Sequence, residues 1–130
     1  MTCNQAVRGL RQLIRARRAF RRRGLTASVP RWSLQGDDRS RTIPEARRMA
    51  WRWTVVTRQL FGSQRCVDEA VCVTAALRAI GIPAQLTVGC AAVDLGTSPT
   101  GVHAWVSLGP HPITDMHVVE THIEMARWPS

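Results

Sequence analysis

The chain has 130 residues, enough for one domain with a single modest core and too few for two. Its 45% hydrophobic content fits a globular protein rather than a disordered one, and no stretch approaches the roughly 20 apolar residues that a membrane-spanning helix needs. The formal charge of +9 comes entirely from 18 Arg with no Lys, a bias that reads first as codon usage in a GC-rich genome; the basic surface still favours acidic partners, whether nucleic acid, an anionic membrane or an acidic peptide.

From Ala6 to Phe20, the apolar residues Ala6, Leu10, Leu13, Ile14 and Phe20 recur at helical spacing and Arg fills the rest, which predicts a basic amphipathic helix. Arg8, Arg11 and Arg15 interrupt every apolar stretch before it reaches the length of a signal peptide. Residues 24 to 41 carry Gly24, Ser28, Pro30, Ser33, Gly36, Asp37, Asp38 and Ser40 without a sustained period, and read as a long polar loop. A second helix is signalled by Thr42 and Glu45 at capping-box spacing, with Pro44 in the first turn and a buried stripe of Ala46, Met49, Trp53, Val56 and Leu60. Gly62-Ser63 ends it. Ser63 is placed to cap a third helix over residues 65–80, which Gly81 and Pro83 terminate.

The period then becomes extended. Ala84 to Gly89 is a short apolar strand, and Val102 to Leu108 alternates, with His103, Trp105 and Ser107 on one face and Ala104, Val106 and Leu108 on the other. Gly109-Pro110-His111 is a turn, so a hairpin partner is expected over residues 112–119, with Ile113, Asp115 and His117 on one face. Ala91 to Thr100 is long enough for a flap, while Glu124 to Ser130 shows no readable pattern. The predicted fold class is α+β: N-terminal helices followed by a small antiparallel sheet. It forms one domain, with residues 1–43 a basic helix and polar loop and residues 44–130 the core.

Cysteines at 3, 66, 72 and 90 form no CxxC pair, which argues against a zinc finger or a disulfide scaffold and for free thiols in a soluble, cytoplasmic protein. No metal and no cofactor is expected. Cys66 falls in the first turn of the predicted third helix, where unpaired N–H groups favour the reactive thiolate and can also stabilise an oxyanion. Cys72 lies nearly two turns further on, beyond that benefit, and it and Cys90 read as small buried hydrophobes; Cys3 reads as an exposed terminal residue. A strand histidine is more often structural than catalytic. His103 rises above that base rate because the turn folds Asp115 back towards it, where a carboxylate would fix the ring tautomer. Trp105 supplies an apolar wall beside the imidazole. Gln59 and Gln64 precede the cysteine and are candidates for a second oxyanion donor, although solvated surface positions are the commoner fate of such residues. His111 reads as a turn residue, His117 as a surface group, and His122 carries no signal.

Nucleophile, base and orienter thus occur in the order Cys66, His103, Asp115, as in thiol hydrolases of the papain and transglutaminase-like kind. Together with Leu77-Arg78-Ala79-Ile80-Gly81-Ile82-Pro83-Ala84, Leu86-Thr87-Val88-Gly89 and His103-Ala104-Trp105-Val106, they make the chain resemble the leader peptidases of lasso-peptide biosynthesis, over residues 44–119. The resemblance implies a papain/transglutaminase-like core with the nucleophile at a helix N-terminus, and the roles of nucleophile for Cys66, base for His103 and its partner for Asp115. It also implies cleavage of a precursor leader peptide, a separate leader-recognition protein, and an ATP-dependent cyclase acting downstream. The chain departs from the family at Val67 and Glu69, where Leu and Arg are common, and at Ser107, where Glu is common.

Two rival readings stand beside this one. A non-catalytic nucleic-acid-binding domain would account for the basic charge and leave the Cys66, His103 and Asp115 spacing unexplained. A transglutaminase-like acyl transferase would use the same acyl-enzyme with an amine as acceptor. Under the resemblance neither membrane nor nucleic acid is an expected partner, and the basic helix would dock the recognition protein or an acidic stretch of the leader, its alternative role being a solvated cover over the core.

Overall fold

A computed structural model describes residues 2–32, 42–91, 102–117 and 121–129. Four helices, α1 (Cys3–Arg23), α2 (Leu25–Trp32), α3 (Ile43–Phe61) and α4 (Cys66–Ala79), precede four strands, β1 (Gln85–Ala91), β2 (Val102–Leu108), β3 (His111–Pro112) and β4 (His122–Trp128). The strands form one antiparallel sheet in the order β3-β2-β1-β4. This is the expected α+β arrangement of helices followed by a small sheet.

The central element is α4. Asp68 and Ala70 through Leu77 are all buried, because α1 and α3 pack against it from the helical side and β1 and β2 from the other. Its apolar character is correspondingly all-round rather than one-sided, the mark of a core helix. Ala104, Val106 and Leu86 meet it from the sheet, and Leu13, Ala16, Ala46, Met49 and Trp53 complete the cluster.

α1 buries a different face from the one its large apolar residues suggest. Gly9, Gln12, Leu13 and Ala16 turn inwards, while Val7, Leu10 and Ile14 are exposed. Trp53 helps set this face: a Cβ on Gly9 would stand 2.3 Å from its ring, so the bare Gly9 backbone admits the indole that reaches across from α3. Capping at Thr2 and Gln5 is reciprocal, and Gly24 ends the helix with a φ of 79°.

The polar connection predicted over 24–41 contains a further helix in its first part. In α2, Trp32 is fully buried and its Nε1 donates to Ser28 Oγ at 3.0 Å, so a segment rich in turn formers is held helical by one large anchored side chain. Pro30 lies beyond the first turn and removes one ladder bond, so α2 depends on its tertiary anchor more than on its own hydrogen bonds. Residues 33–41 lie outside the described part; of the flap expected over Ala91 to Thr100, Ala91 ends β1 and residues 92–100 also lie outside it.

Thr42 caps α3 by accepting from Glu45 N at 3.3 Å, and Gly62 ends it. Ser63 does not cap α4. Arg65 occupies that position without a side-chain hydrogen bond, and the carboxylates of Asp68 and Glu69 stand in the first turn instead. Leu60, expected in the buried stripe of α3, is exposed.

In the sheet, β2 has the predicted bounds, but the strand after the turn stops at Pro112. Val106 explains why. Its carbonyl accepts from both Ile113 N and Thr114 N, at 2.8 and 3.3 Å, while its own N–H donates to Thr114 Oγ1 at 2.9 Å. A side-chain hydroxyl replaces the next rung of the ladder, and the chain turns away, so Ile113, Asp115 and His117 do not form one strand face. Glu124 to Trp128, which show no readable pattern, form most of β4, which pairs with β1 across a bulge at Val88/Gly89.

Candidate active site

Cys66 is the first residue of α4 and is half-buried. Because Arg65 offers no side-chain cap, the first-turn N–H groups are not consumed by one, and the positive end of the helix faces the thiol. Two carboxylates near it are paired. Glu69 Oε1 accepts from Arg58 Nε at 2.7 Å, and Asp68 Oδ2 accepts from Arg65 Nε at 3.1 Å. The bond to Glu69 and its charge raise the Arg58 pKa above its ordinary value.

Cys66 lines a cavity of about 460 Å³. His103, Asp115 and Gln64 line it as well, together with Trp51, Thr54, Val73, Ile113 and Met116 and the charged residues Arg47, Arg58 and Glu69. Among its lining residues Trp51 and Met116 are 63% and 53% exposed, so large apolar side chains stand open to solvent there beside the exposed Arg58 and Asp115. Thiol and imidazole share this cavity without a hydrogen bond between them among the described residues.

His103 is fixed from two sides. Its Nε2 lies 2.8 Å from Asp115 Oδ2, and its ring stacks on Trp105 at 6.3 Å between centroids with 22° between planes. With Nε2 committed to the carboxylate, Nδ1 is the ring nitrogen left for exchange with a thiol or substrate. Asp115 reaches the ring from the turn that Thr114 initiates, and its φ of 48° is left-handed, a conformation that Asp adopts more readily than most residues.

The other sequence candidates separate here. Gln64 is on the cavity wall. Trp105 is buried behind His103 rather than on the wall, and Gln59 is exposed and outside the lining. Cys72 is fully buried, and desolvation pushes its thiol up to about 12. Trp51 lines the cavity and is exposed, whereas Trp128 is half-buried and Trp32 is in the core.

Sequence reasoning missed His122. Its ring lies 5.6 Å from that of His103 and meets Trp105 edge-on at 6.1 Å. Only the pairing of β4 with β1 brings it there, and no local spacing reveals that. The Arg58–Glu69 pair was hidden for the same reason, as it joins two helices. Among the described residues, no group of three or more His, Cys, Asp or Glu side chains could hold a metal ion, and no helix is long and apolar enough to cross a membrane.

A first-turn cysteine and a carboxylate-held histidine on one cavity can support acyl chemistry through a thiol. Comparison with curated proteins and with solved structures found no match. The family model of the transglutaminase-like superfamily matches residues 10–125, nearly the whole chain, and the protein therefore belongs to that superfamily.

Proposed function

We propose that the protein is a cysteine peptidase that removes the leader from a ribosomally made precursor during lasso-peptide maturation. The observation that carries the chemistry is the shared cavity: Cys66 at the head of α4, and His103 held through Nε2 by Asp115. The leader-peptidase assignment draws on the motif resemblance around these residues.

In the proposed reaction, Cys66 Sγ loses its proton to His103 Nδ1 and attacks the scissile carbonyl carbon. The C–S bond forms as the carbonyl π pair moves onto oxygen, where the backbone N–H of Cys66 donates to it. Collapse restores the carbonyl, breaks the C–N bond and releases the core-peptide amine with the proton from His103. Water, deprotonated by His103, then attacks the thioester, and the thiol is regenerated as the leader leaves as its carboxylic acid. Asp115 stabilises the imidazolium throughout.

Selection of the peptide draws on a surface outside this centre. Arg8, Arg11, Arg15, Arg18 and Arg22 alternate at spacings of three and four along α1, all exposed and with no ion pair among the described residues. Beside them run the exposed Val7, Leu10 and Ile14 at the same spacing. Such a seam with charged flanks suits an acidic amphipathic segment, and we assign it to the leader-recognition protein or to an acidic stretch of the leader.

The test is to incubate the chain and its recognition partner with the precursor peptide and read the products by mass. Cleavage to leader acid and free core amine is expected from the parent and from Cys72→Ala and Cys90→Ala. Equal cleavage by Cys66→Ala would refute the proposal.

A further inference from the structure

We infer that Arg17, on the N-terminal helix, is a positioning residue for the acylation step: it orients Gln64 so that the amide nitrogen is the free end beside Cys66 and donates to the oxyanion. The inference rests on the thiol chemistry proposed above and extends the site to an element outside the catalytic core.

Arg17 Nε donates to Gln64 Oε1 at 3.0 Å, across 47 residues of sequence. A guanidinium has donors only, so the carboxamide oxygen must be the end that faces it and the NH₂ must point elsewhere. This removes the twofold ambiguity that a glutamine side chain otherwise has. Arg17 is itself fixed, because its guanidinium carbon lies 4.0 Å from the centroid of Phe61, the last residue of α3. The short link from Phe61 to Cys66 is therefore clamped against α1 just before the nucleophile.

Gln64 Nε2 is shut off from water and has no hydrogen-bond partner among the described residues. A buried donor left unpaired is destabilising, and such groups persist where a ligand supplies the missing acceptor. Gln64 lines the same cavity as Cys66 and precedes it by two residues. When Sγ bonds to a carbonyl carbon, the oxygen gains the displaced electron pair close to the α4 N-terminus. It can then take one hydrogen bond from Cys66 N–H and, with a small shift of the side chain that opens Nε2 to the cavity, a second from Gln64 Nε2.

Two probes separate this role from a structural one. Acylation by 4-nitrophenyl acetate passes through a tetrahedral oxyanion, whereas alkylation of Cys66 by iodoacetamide does not. Gln64→Ala and Gln64→Glu should each slow the acylation burst by about 100-fold, since Glu keeps the acceptor for Arg17 and lacks the donor. Arg17→Ala, and Arg17→Met in case the shorter side chain compromises folding, should slow acylation by about tenfold while alkylation stays within about twofold, and should have no further effect in the Gln64→Ala background. The inference is overturned if Arg17→Met acylates like the parent, if it slows alkylation equally, or if its effect persists undiminished in Gln64→Ala. Cys66→Ala reports on the underlying reading alone: a full burst from it would refute the thiol chemistry, while its silence beside a normal Arg17→Met burst would overturn only the role of Arg17.

Discussion

His103 Nε2 and Asp115 Oδ2 stand 2.8 Å apart although they belong to different kinds of structure, one on a strand and the other in a turn with left-handed backbone. Asn tolerates that backbone as Asp does, so Asp115→Asn should fold normally and keep a hydrogen bond to the ring. It removes the charge that stabilises the imidazolium, and kcat for precursor cleavage should fall by about 10²- to 10⁴-fold. Single-turnover mass assays would measure this, and a variant within a few fold of the parent would remove Asp115 from the mechanism.

Gly89 keeps the histidine's support in place. A Cβ there would meet the Trp105 ring and the Ile123 carbonyl, each at 2.6 Å, and the second of these is backbone that cannot swing aside. Gly89→Ala should therefore destabilise the fold by about 1–3 kcal/mol. It should also lower activity in the surviving folded fraction, because the displaced indole is the one stacked on His103. Thermal melts and near-ultraviolet circular dichroism test the two effects separately.

Cys72 makes stability depend on alkaline pH. Burial raises its pKa from 9.0 to about 12 in the folded chain. Below 9.0 both folded and unfolded chains hold the proton, and this group's contribution is complete. Between 9.0 and about 12 the unfolded thiol ionises first, so stability falls with rising pH, by at most about 1.4 kcal/mol per unit from this group. Cys72→Ala should show a shallower alkaline loss in urea melts at pH 8 to 10.5, beneath a constant offset for the lost packing. A thiol reagent at neutral pH should leave Cys72 unmodified in the native protein.

Charge reversal of Arg15, Arg18 and Arg22 on α1 should leave the fold and the 4-nitrophenyl acetate burst intact, since all three are exposed. Precursor processing in the presence of the recognition partner should fall at least tenfold and become less sensitive to salt. Unchanged processing would return the ridge to a solvated face.

The legible parts of the sequence were those governed by local chemistry. Thr42, Pro44 and Gly62 bound α3, Gly81 ends α4, and the alternation of Val102 to Leu108 marks β2. What stayed hidden depends on distant partners. α2 forms around a tryptophan that is anchored in the core, β4 is defined by its pairing with β1, and β3 is cut short by the hydroxyl of Thr114 two residues after it. The inward face of α1 is shifted from the apolar stripe: Leu13 and Phe20 meet the core as expected, but Gly9, which admits the Trp53 ring, turns in while Leu10 and Ile14 are exposed. At the site, Cys66 had a local signature, its place at a helix start. Asp115 was drawn near His103 for the right reason, a reversal of the chain, but by a turn rather than a strand. Arg58, His122 and Arg17 had no signature, since each meets its partner across elements.

The burial of α4 along most of its length makes it a fixed post, with the half-buried residue at its head carrying the sulfur. A post cannot lean towards its substrate. Any adjustment to peptides of different bulk must come from the facing wall, where Trp51 and Met116 project from separate elements with most of their side chains unconfined. Variation in what the cavity accepts is thus expected to arise there, while the sulfur stays where the core has set it.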